Sequence, residues 1–568
     1  MSSTVNIQKN ELMNLPEEIL LYILKFVNIS SRSNVSQVCR KFYELVCTLE
    51  KDCLPLKLSY KQICDENMYS SIINTSRMFT DLTISVDVVP NIDPILNILV
   101  KFGERIEKFT FTGRYVPGKI KSTVLESQLA EMLNCIPNVE ELTFEFICVI
   151  RDMHWSDELP LYKLKKLTME SDWRSDCDFP IIFNQLPKDV VTEMSIRFNL
   201  YNENFKQFIN QQTQITKLIM KRELHSDLSV LNLPNLKHFT YWHIGFNENF
   251  PEMIRQHPKL RSLDLCDGLS TNMNNEIFEA ICELDYLESL KTVINEELSV
   301  DVFKSLANVI HLRELHLIID MQQDIQRIFN FQNFQEDDVD DDGIQFLNIV
   351  LELSMMKFLQ IETLSITGSE NFTVIIPQEI VFQFIQNFQN LKHLRFEHGS
   401  INIIGTVLKY FIKLETFDFC VIRSEEEQDL MDEDLSHENL KEFKVSSYDI
   451  YNTRSILYAI SACPSLELIE ISKECDISNE DLQQIVDDHP KLKYLTLDVY
   501  KFSFENETAE VIQSAARRLQ RISLSGLSRF LSFETIKECF KEEFPCIKHF
   551  ERGNGTFELM MKKRGPLK

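Results

Sequence analysis

One short phrase returns along this chain, and it limits the fold more than any other feature. It reads apolar-x-x-apolar-x-apolar. Clear copies are PNVEELTF from Pro137, PNLKHFTY from Pro234, PKLRSLDL from Pro258, HLRELHL from His311 and QNLKHLRF from Gln389. IKLETFDF from Ile412, ENLKEFKV from Glu438, PSLELIEI from Pro464 and PKLKYLTL from Pro490 continue the series. Looser copies start at Lys163, Ile215, Tyr286, Ile361 and Arg518, and weaker ones at Phe79, Ile106, Val191 and Ile547. The total is about 18 copies at a mean spacing of roughly 27 residues, the range of a structural repeat. The last two apolar positions are two apart, so they point to one face of a short strand. The segments between phrases often carry helical spacing. Asn479 to Pro490 places Leu482, Ile485 and Val486 on one stripe after Ser478 or Asn479 as a cap. One strand and one helix cannot bury their apolar faces alone. Stacking such units in parallel does, and it produces a curved array.

This pattern resembles the leucine-rich repeat, and the resemblance implies an α/β fold with a parallel strand plus a helix in each unit. The Asn or Cys that the family carries after the strand is mostly absent; Cys266 and Cys475 are only near that place. The gap between Leu312 and Ile361 either hides a degenerate unit or holds an insertion. In a repeat array the concave sheet is the extended binding surface. Its exposed positions alternate with the buried ones. In the clearest units these are Glu314 and His316, His393 and Arg395, Thr416 and Asp418, Glu442 and Lys444, and Tyr494 and Thr496. They are the candidate substrate-binding residues. Charges of both signs alternate there, so no ligand class is visible. Some plant proteins of similar architecture hold a small hormone and an inositol phosphate, but no basic cluster here supports that cofactor, and none is expected.

Before the repeats stands LPEEILLYILKFV, Leu15 to Val27. Asn14 as a polar cap, Pro16 in the first turn and the early carboxylates Glu17 and Glu18 favour a helix start. At about 100° per residue, Leu15, Ile19, Tyr22, Ile23 and Phe26 share one side. Leu20, Leu24 and Val27 sit on the next side round, with Leu21 beyond. That apolar belt is wider than the single stripe of a surface helix. Either the helix is wholly buried, or it packs on its own domain and a partner together. Downstream, Val35, Val38, Phe42 and Leu45 recur at helical spacing between Asn34 and Val46.

The order Leu-Pro-x-Glu, apolar helix, then Val-Cys-Arg before an aromatic resembles the F-box, over about residues 11–57. The matching residues are Leu15, Pro16, Glu18, Ile19, Ile23, Leu24, Val27, Val38, Cys39, Arg40 and Phe42. Phe42 stands where many F-boxes have tryptophan, and Arg32 where many have leucine. The resemblance implies a small helical module that docks on the S-phase kinase-associated adaptor protein, through Leu15, Pro16, Glu18, Ile19, Ile23, Val27, Val38, Cys39 and Phe42. It also implies, through that adaptor, a cullin and a RING subunit. The alternative from the residues alone is a helical cap on the end of the repeats.

Composition narrows the rest. A net charge of -27 on 568 residues argues against a general nucleic-acid binder. No apolar run approaches the roughly 18 residues of a membrane helix. Fourteen cysteines lie without CxxC pairs, and the first ten residues lack an apolar leader core. These point to free thiols in a reducing cytosolic or nuclear setting, where the sequon at Asn371 stays unmodified. No Gly-rich phosphate loop, HExxH or GxSxG motif is present. His393, His398 and Cys420 lie near one another only by sequence count, and Cys39 reads as packing within the F-box pattern. Acidic runs at 336–342 and 425–434 read as solvated loops, or as a field that steers a basic substrate. The basic residues of MKKRGPLK lie too near the end to define an import signal.

The expected organisation is an F-box at 11–57, a connecting segment at 58–77, a repeat array at 78–555 and a tail at 556–568. The expected function is the non-catalytic substrate receptor of an SCF ubiquitin ligase. The alternative is a repeat scaffold or inhibitor that binds a partner without assembling a ligase.

Overall fold

The computed structural model describes residues 15–27, 32, 35–36, 38–50, 55–75, 77, 79–86, 91–113, 122–152, 157–170, 179–197, 203–223, 231–243, 248–265, 273–295, 298–319, 349–368, 378–399, 402–421, 435–447, 453–475, 477–499, 503–504, 506–527, 529–530, 533–544, 546–551 and 557–563. The acidic runs, Asn14, Cys266 and Asn371 lie outside them. The chain divides into two compact units, one built from Met1–His243 with Asn247–His257, the other chiefly from Pro258–Pro566.

In the first unit, parallel strands follow chain order at Leu56–Ser59, Asp81–Val86, Lys108–Gly113, Glu141–Glu145, Lys166–Glu170, Glu193–Arg197, Lys217–Glu223 and His238–His243. In the second they are Ser262–Asp264, Ser289–Ile294, Glu314–Ile319, Thr363–Gly368, His393–Gly399, Thr416–Val421, Glu442–Ser447, Leu468–Cys475, Tyr494–Val499 and Arg521–Leu527. Every recurring phrase therefore lies on or beside a strand. Glu314–Ile319 pairs directly with Thr363–Gly368, Leu315 against Leu364. The two strands that flank the long gap are therefore direct neighbours in this ladder.

The ends depart from the simple pattern. The sheet begins earlier than the phrases do, at Leu56–Ser59. At the other end Phe557–Lys562, read from the sequence as tail, runs antiparallel to Arg521–Leu527. Cys546–Glu551, the last phrase, pairs with that strand and not with its predecessor.

The core forms as the alternation requires. Leu142 and Phe144 are buried while Glu141, Thr143 and Glu145 face outward. Where a helix or 3-10 turn is described between strands, it buries apolar side chains such as Leu129 and Leu133, Ile182 and Phe183, or Ile277 and Ile281. Asn479–Asp488 is capped by Ser478, whose hydroxyl accepts from the Asp481 amide while the Asp481 carboxylate accepts from the Ser478 amide; it buries Leu482, Ile485 and Val486. Phenylalanine fills much of this core. Phe179 packs against Phe205, Phe208 and Phe183 with ring centroids 5.2, 5.2 and 5.7 Å apart.

What joins one repeat to the next is a backbone clamp. At most turns among the described residues one carbonyl accepts from two successive amides of the following repeat. Thr80 receives Glu107 and Lys108 at 2.8 and 2.9 Å, Glu107 receives Glu140 and Glu141 at 2.7 and 2.9 Å, and Lys441 receives Glu467 and Leu468 at 2.7 and 3.0 Å. Side chains reinforce it. The Asn of the phrase donates back to a turn carbonyl of the preceding repeat: Asn138 to Glu104 at 2.8 Å, Asn390 to Leu359 at 2.6 Å and Asn439 to Ile412 at 2.8 Å. Buried His257 fills the same kind of gap, with Nδ1 2.7 Å from the Met253 carbonyl and Nε2 facing the Leu233 amide at 3.4 Å. Burial holds its imidazole below the usual histidine range.

Charge also repeats with the ladder. Arg261, Glu288, Arg313, Glu362, Lys392, Glu415, Lys441, Glu467 and Lys493 stand at one position of successive repeats, joined amide to carbonyl and alternating in sign throughout. Ion pairs close Arg261–Glu288 at 3.3 Å, Lys392–Glu362 at 2.8 Å, Lys441–Glu415 at 2.5 Å and Lys493–Glu467 at 2.5 Å. The first unit has its own alternating row one residue further on: Asp81, Lys108, Glu141, Lys166, Glu193 and Lys217. Exposed pairs of this kind add little stability each. Their order matters more: a strand displaced by one whole repeat would meet like charge on its neighbour.

The repeats approach closely at Gly103, where an added Cβ would lie 1.8 Å from the Cys135 carbonyl oxygen. Gly103→Ala should therefore lower the stability of the first unit by about 1–3 kcal/mol, read as an earlier urea midpoint. An unchanged midpoint would contradict this packing.

Candidate functional site

Helix α1, Glu17–Lys25, and helix α2, Arg40–Glu50, form the N-terminal module. The N-cap of α1 is Pro16, with no side-chain cap. Its carbonyl accepts from Ile19 and Leu20, and Glu17 and Glu18 occupy the first turn. Leu20 and Leu24 of α1 join Phe42, Leu45 and Val46 of α2 in a small core. Leu15, Leu21, Val27, Val35, Cys39 and Leu49 pack around it, partly covered.

The other side of α1 is apolar and open. Ile19, Tyr22, Ile23 and Phe26 are 46, 61, 40 and 76 % exposed, and Val38 before α2 is 70 % exposed. The i, i+3, i+4, i+7 spacing makes the first four one continuous stripe, and the Tyr22 and Phe26 rings stack edge to face at 5.0 Å. Each such side chain stabilises by about 1.5–3 kcal/mol when fully buried, so this stripe holds a large unused apolar surface. Of the residues read from the sequence as adaptor-binding, Pro16, Glu18, Ile19, Ile23 and Val38 are exposed, and Leu15, Val27 and Cys39 are half-buried. Phe42 is different: at 7 % exposure it lies in the core and shapes the face without forming it. Tyr22 and Phe26 belong to the open face but were absent from the residues assigned to it; their position on the helical wheel is the signal that finds them.

Arg32, the second departure from the family pattern, has a structural role. Its Nε donates to the Leu24 carbonyl at 2.8 Å and its Nη2 to the Lys25 carbonyl at 3.0 Å. The Leu24 carbonyl also accepts from the Val27 amide at 3.1 Å, so Arg32 adds a charged donor at the last turn, where a helix leaves carbonyls short of partners, and its cation opposes the negative end of the helix dipole.

On the repeats, the candidate substrate residues do come together. Glu314, Thr363, His393, Thr416, Glu442, Leu468 and Tyr494 occupy one register row across successive strands of the second unit. His316, Ser365, Arg395, Asp418, Lys444, Glu470 and Thr496 form the row beside it. The phrases predict most of both rows; Thr363 and Ser365 in one strand and Leu468 and Glu470 in another complete them. Burial pushes the His316 imidazole below its usual range. Burial also raises the Asp418 carboxyl, against the pull of Arg395 and Lys444.

Among the described residues no group of three or more His, Cys, Asp or Glu is placed to hold a metal ion, and no helix is long and apolar enough to cross a membrane. A groove of about 520 Å³ between Asn479–Asp488 and Asn506–Ala515 is lined mainly by carboxylates and amides, among them Glu480, Gln484, Asp487 and Glu507. Cys39, Cys64, Cys135, Cys282, Cys420, Cys463, Cys539 and Cys546 are free thiols, and burial raises Cys282 and Cys463 to about 12. Cys148 is disulfide-bonded, which corrects the expectation of free thiols throughout. A disulfide depends on Cα atoms brought within about 7 Å by the fold, and sequence spacing does not reveal that.

Arg32→Ala should leave two α1 carbonyls without their charged donor and raise the exchange rate of the Leu24–Val27 amides about tenfold. Amide exchange on the full chain reads this directly; unchanged protection would remove Arg32 from the cap.

Residues 12–54 match the F-box domain family. A search of curated proteins found no match. Solved structures similar to the chain include an LRR protein of Leptospira interrogans, at 12 % identity and TM-score 0.36 over 81 % of this chain and 98 % of that one. The TLR13–ssRNA13 complex aligns at 14 % identity and TM-score 0.39, over 86 % of this chain and 57 % of that one. The functional domain of InlJ from Listeria monocytogenes aligns at 13 % identity and TM-score 0.32, over 76 % of this chain and 86 % of that one. The chain thus carries a segment that matches the F-box domain at residues 12–54, followed in both units by repeated parallel strands with helices between many of them.

Proposed function

We propose that this protein is the substrate-recognition subunit of an SCF ubiquitin ligase. In this reading the F-box docks on the S-phase kinase-associated adaptor protein, and through it on a cullin and a RING subunit, while the sheet face of the repeats holds a protein substrate. The observation that carries the reading is the open stripe Ile19, Tyr22, Ile23 and Phe26, which lies within the segment that matches the F-box family. A helix that already has its own core on Leu20 and Leu24 does not need four further apolar side chains in water. A partner that covers them explains both faces.

No chemistry is assigned to the chain itself. Ubiquitin transfer would fall to the conjugating enzyme on the RING subunit, and the receptor would act by raising the effective concentration of substrate beside it. The reading requires a cytoplasmic or nuclear setting.

Ile23→Lys places a charge in the stripe and leaves the core of the module intact. It should weaken adaptor binding by about tenfold or more, while circular dichroism and the thermal midpoint stay those of the unmodified protein. If the unmodified protein fails to bind the adaptor, the ligase reading falls and a scaffold that binds without a cullin takes its place.

A further inference from the structure

The outward rows of the second unit are not evenly satisfied. Arg395 is held by Glu397 at 2.5 Å and Asp418 at 3.6 Å, and Lys444 by Glu442 at 3.8 Å. Both cations are thus committed to carboxylates of the same face. Glu470 stands next in the row, opposite Lys444 on one side and Thr496 on the other. Its carboxylate has no hydrogen bond or ion pair among the described residues. Its strand neighbours Ile469 and Ile471 are buried, so Glu470 and Leu468 point to the outward face. Leu468 lies opposite Tyr494, which is 38 % exposed and has its hydroxyl fixed on Gln520 Oε1 at 2.7 Å.

We propose that this part of the sheet takes a lysine or arginine from a basic segment of the partner, with its aliphatic stem across Leu468 and Tyr494 and its cationic head on Glu470. The proposal rests on the reading of this face as the capture surface and names the chemistry it selects. Long cationic side chains bury their stems on apolar surface while the head seeks an anion, and an aromatic face beside that head adds attraction. The sign follows from the count on the face: Glu397, Asp418, Glu442 and Glu470 against Arg395 and Lys444. An acidic or wholly apolar partner would cover Glu470 with no counter-charge, a cost that grows as water leaves. The net charge of -27 adds a long-range field of the same sign.

The test uses the full chain and short fluorescein-labelled repeat peptides of Gly-Arg and Gly-Lys, with Gly-Glu as control, followed by anisotropy at physiological salt. The cationic peptides should bind and the glutamate peptide should not. Glu470→Gln should weaken cationic binding about tenfold, the worth of one charge-assisted contact, and Tyr494→Ala should weaken it further. Glu480→Gln, an equal loss of charge on a helix, should leave binding unchanged. Equal losses for Glu470→Gln and Glu480→Gln, or no binding of the cationic peptides to the unmodified chain, would overturn the proposal. Adaptor binding, measured on the same samples, should be untouched by Glu470→Gln. A chain that binds the cationic peptides but not the adaptor defeats the ligase reading alone, and the converse defeats this proposal alone.

Discussion

Everything in this molecule depends on one small contact: a turn carbonyl that accepts two successive amides from the next repeat. A single strand with a single helix leaves half its apolar surface in water. Only a neighbour in fixed register can cover it. The double acceptance at Thr80, Glu107 or Lys441 fixes that register to the residue. Once it is fixed, the buried alternation of each strand falls on the buried alternation of the next, and the outward residues line up in rows. A shift of one residue would turn every leucine and phenylalanine to the wrong face. The alternating charge row from Arg261 to Lys493 guards a different error, the slip of a whole repeat, because it sets like against like.

The strands were largely legible in the sequence because their signal is periodic and repeated. Even the weak phrases at Phe79, Ile106 and Val191 mark strands, at Asp81–Val86, Lys108–Gly113 and Glu193–Arg197. What the phrase could not carry was anything that depends on pairing. The C-terminal strand Phe557–Lys562 inserts antiparallel between two others, and its direction is set by its partner. The same holds for the direct pairing of the strands that flank the long gap. The family's Asn after the strand is mostly absent, yet Asn138, Asn390 and Asn439 bridge repeats from a place inside the phrase itself. Their role emerges only when the preceding turn is in view.

The N-terminal module was legible to a similar depth. The helical wheel separates Leu20 and Leu24 from Ile19, Tyr22, Ile23 and Phe26, and the structure makes the first pair core and the second group surface. A motif match alone blurs that line, since Phe42 belongs to the motif and lies in the core. Arg32 departs from the motif and supports it, because its guanidinium completes the end of the very helix that carries the open stripe. The same division organises the repeats. Residues that fold the chain point one way, and residues available to a partner point the other.

The central claim is that the open side of α1 is a docking face for the adaptor. Hydroxyl-radical footprinting tests it at the side chains concerned, because Tyr22 and Phe26 are both reactive and both exposed. With saturating adaptor, Tyr22 and Phe26 should lose most of their reactivity, while the exposed Tyr162 and Tyr286 on the repeats keep theirs. Full reactivity of Tyr22 and Phe26 in the presence of bound adaptor would contradict the account.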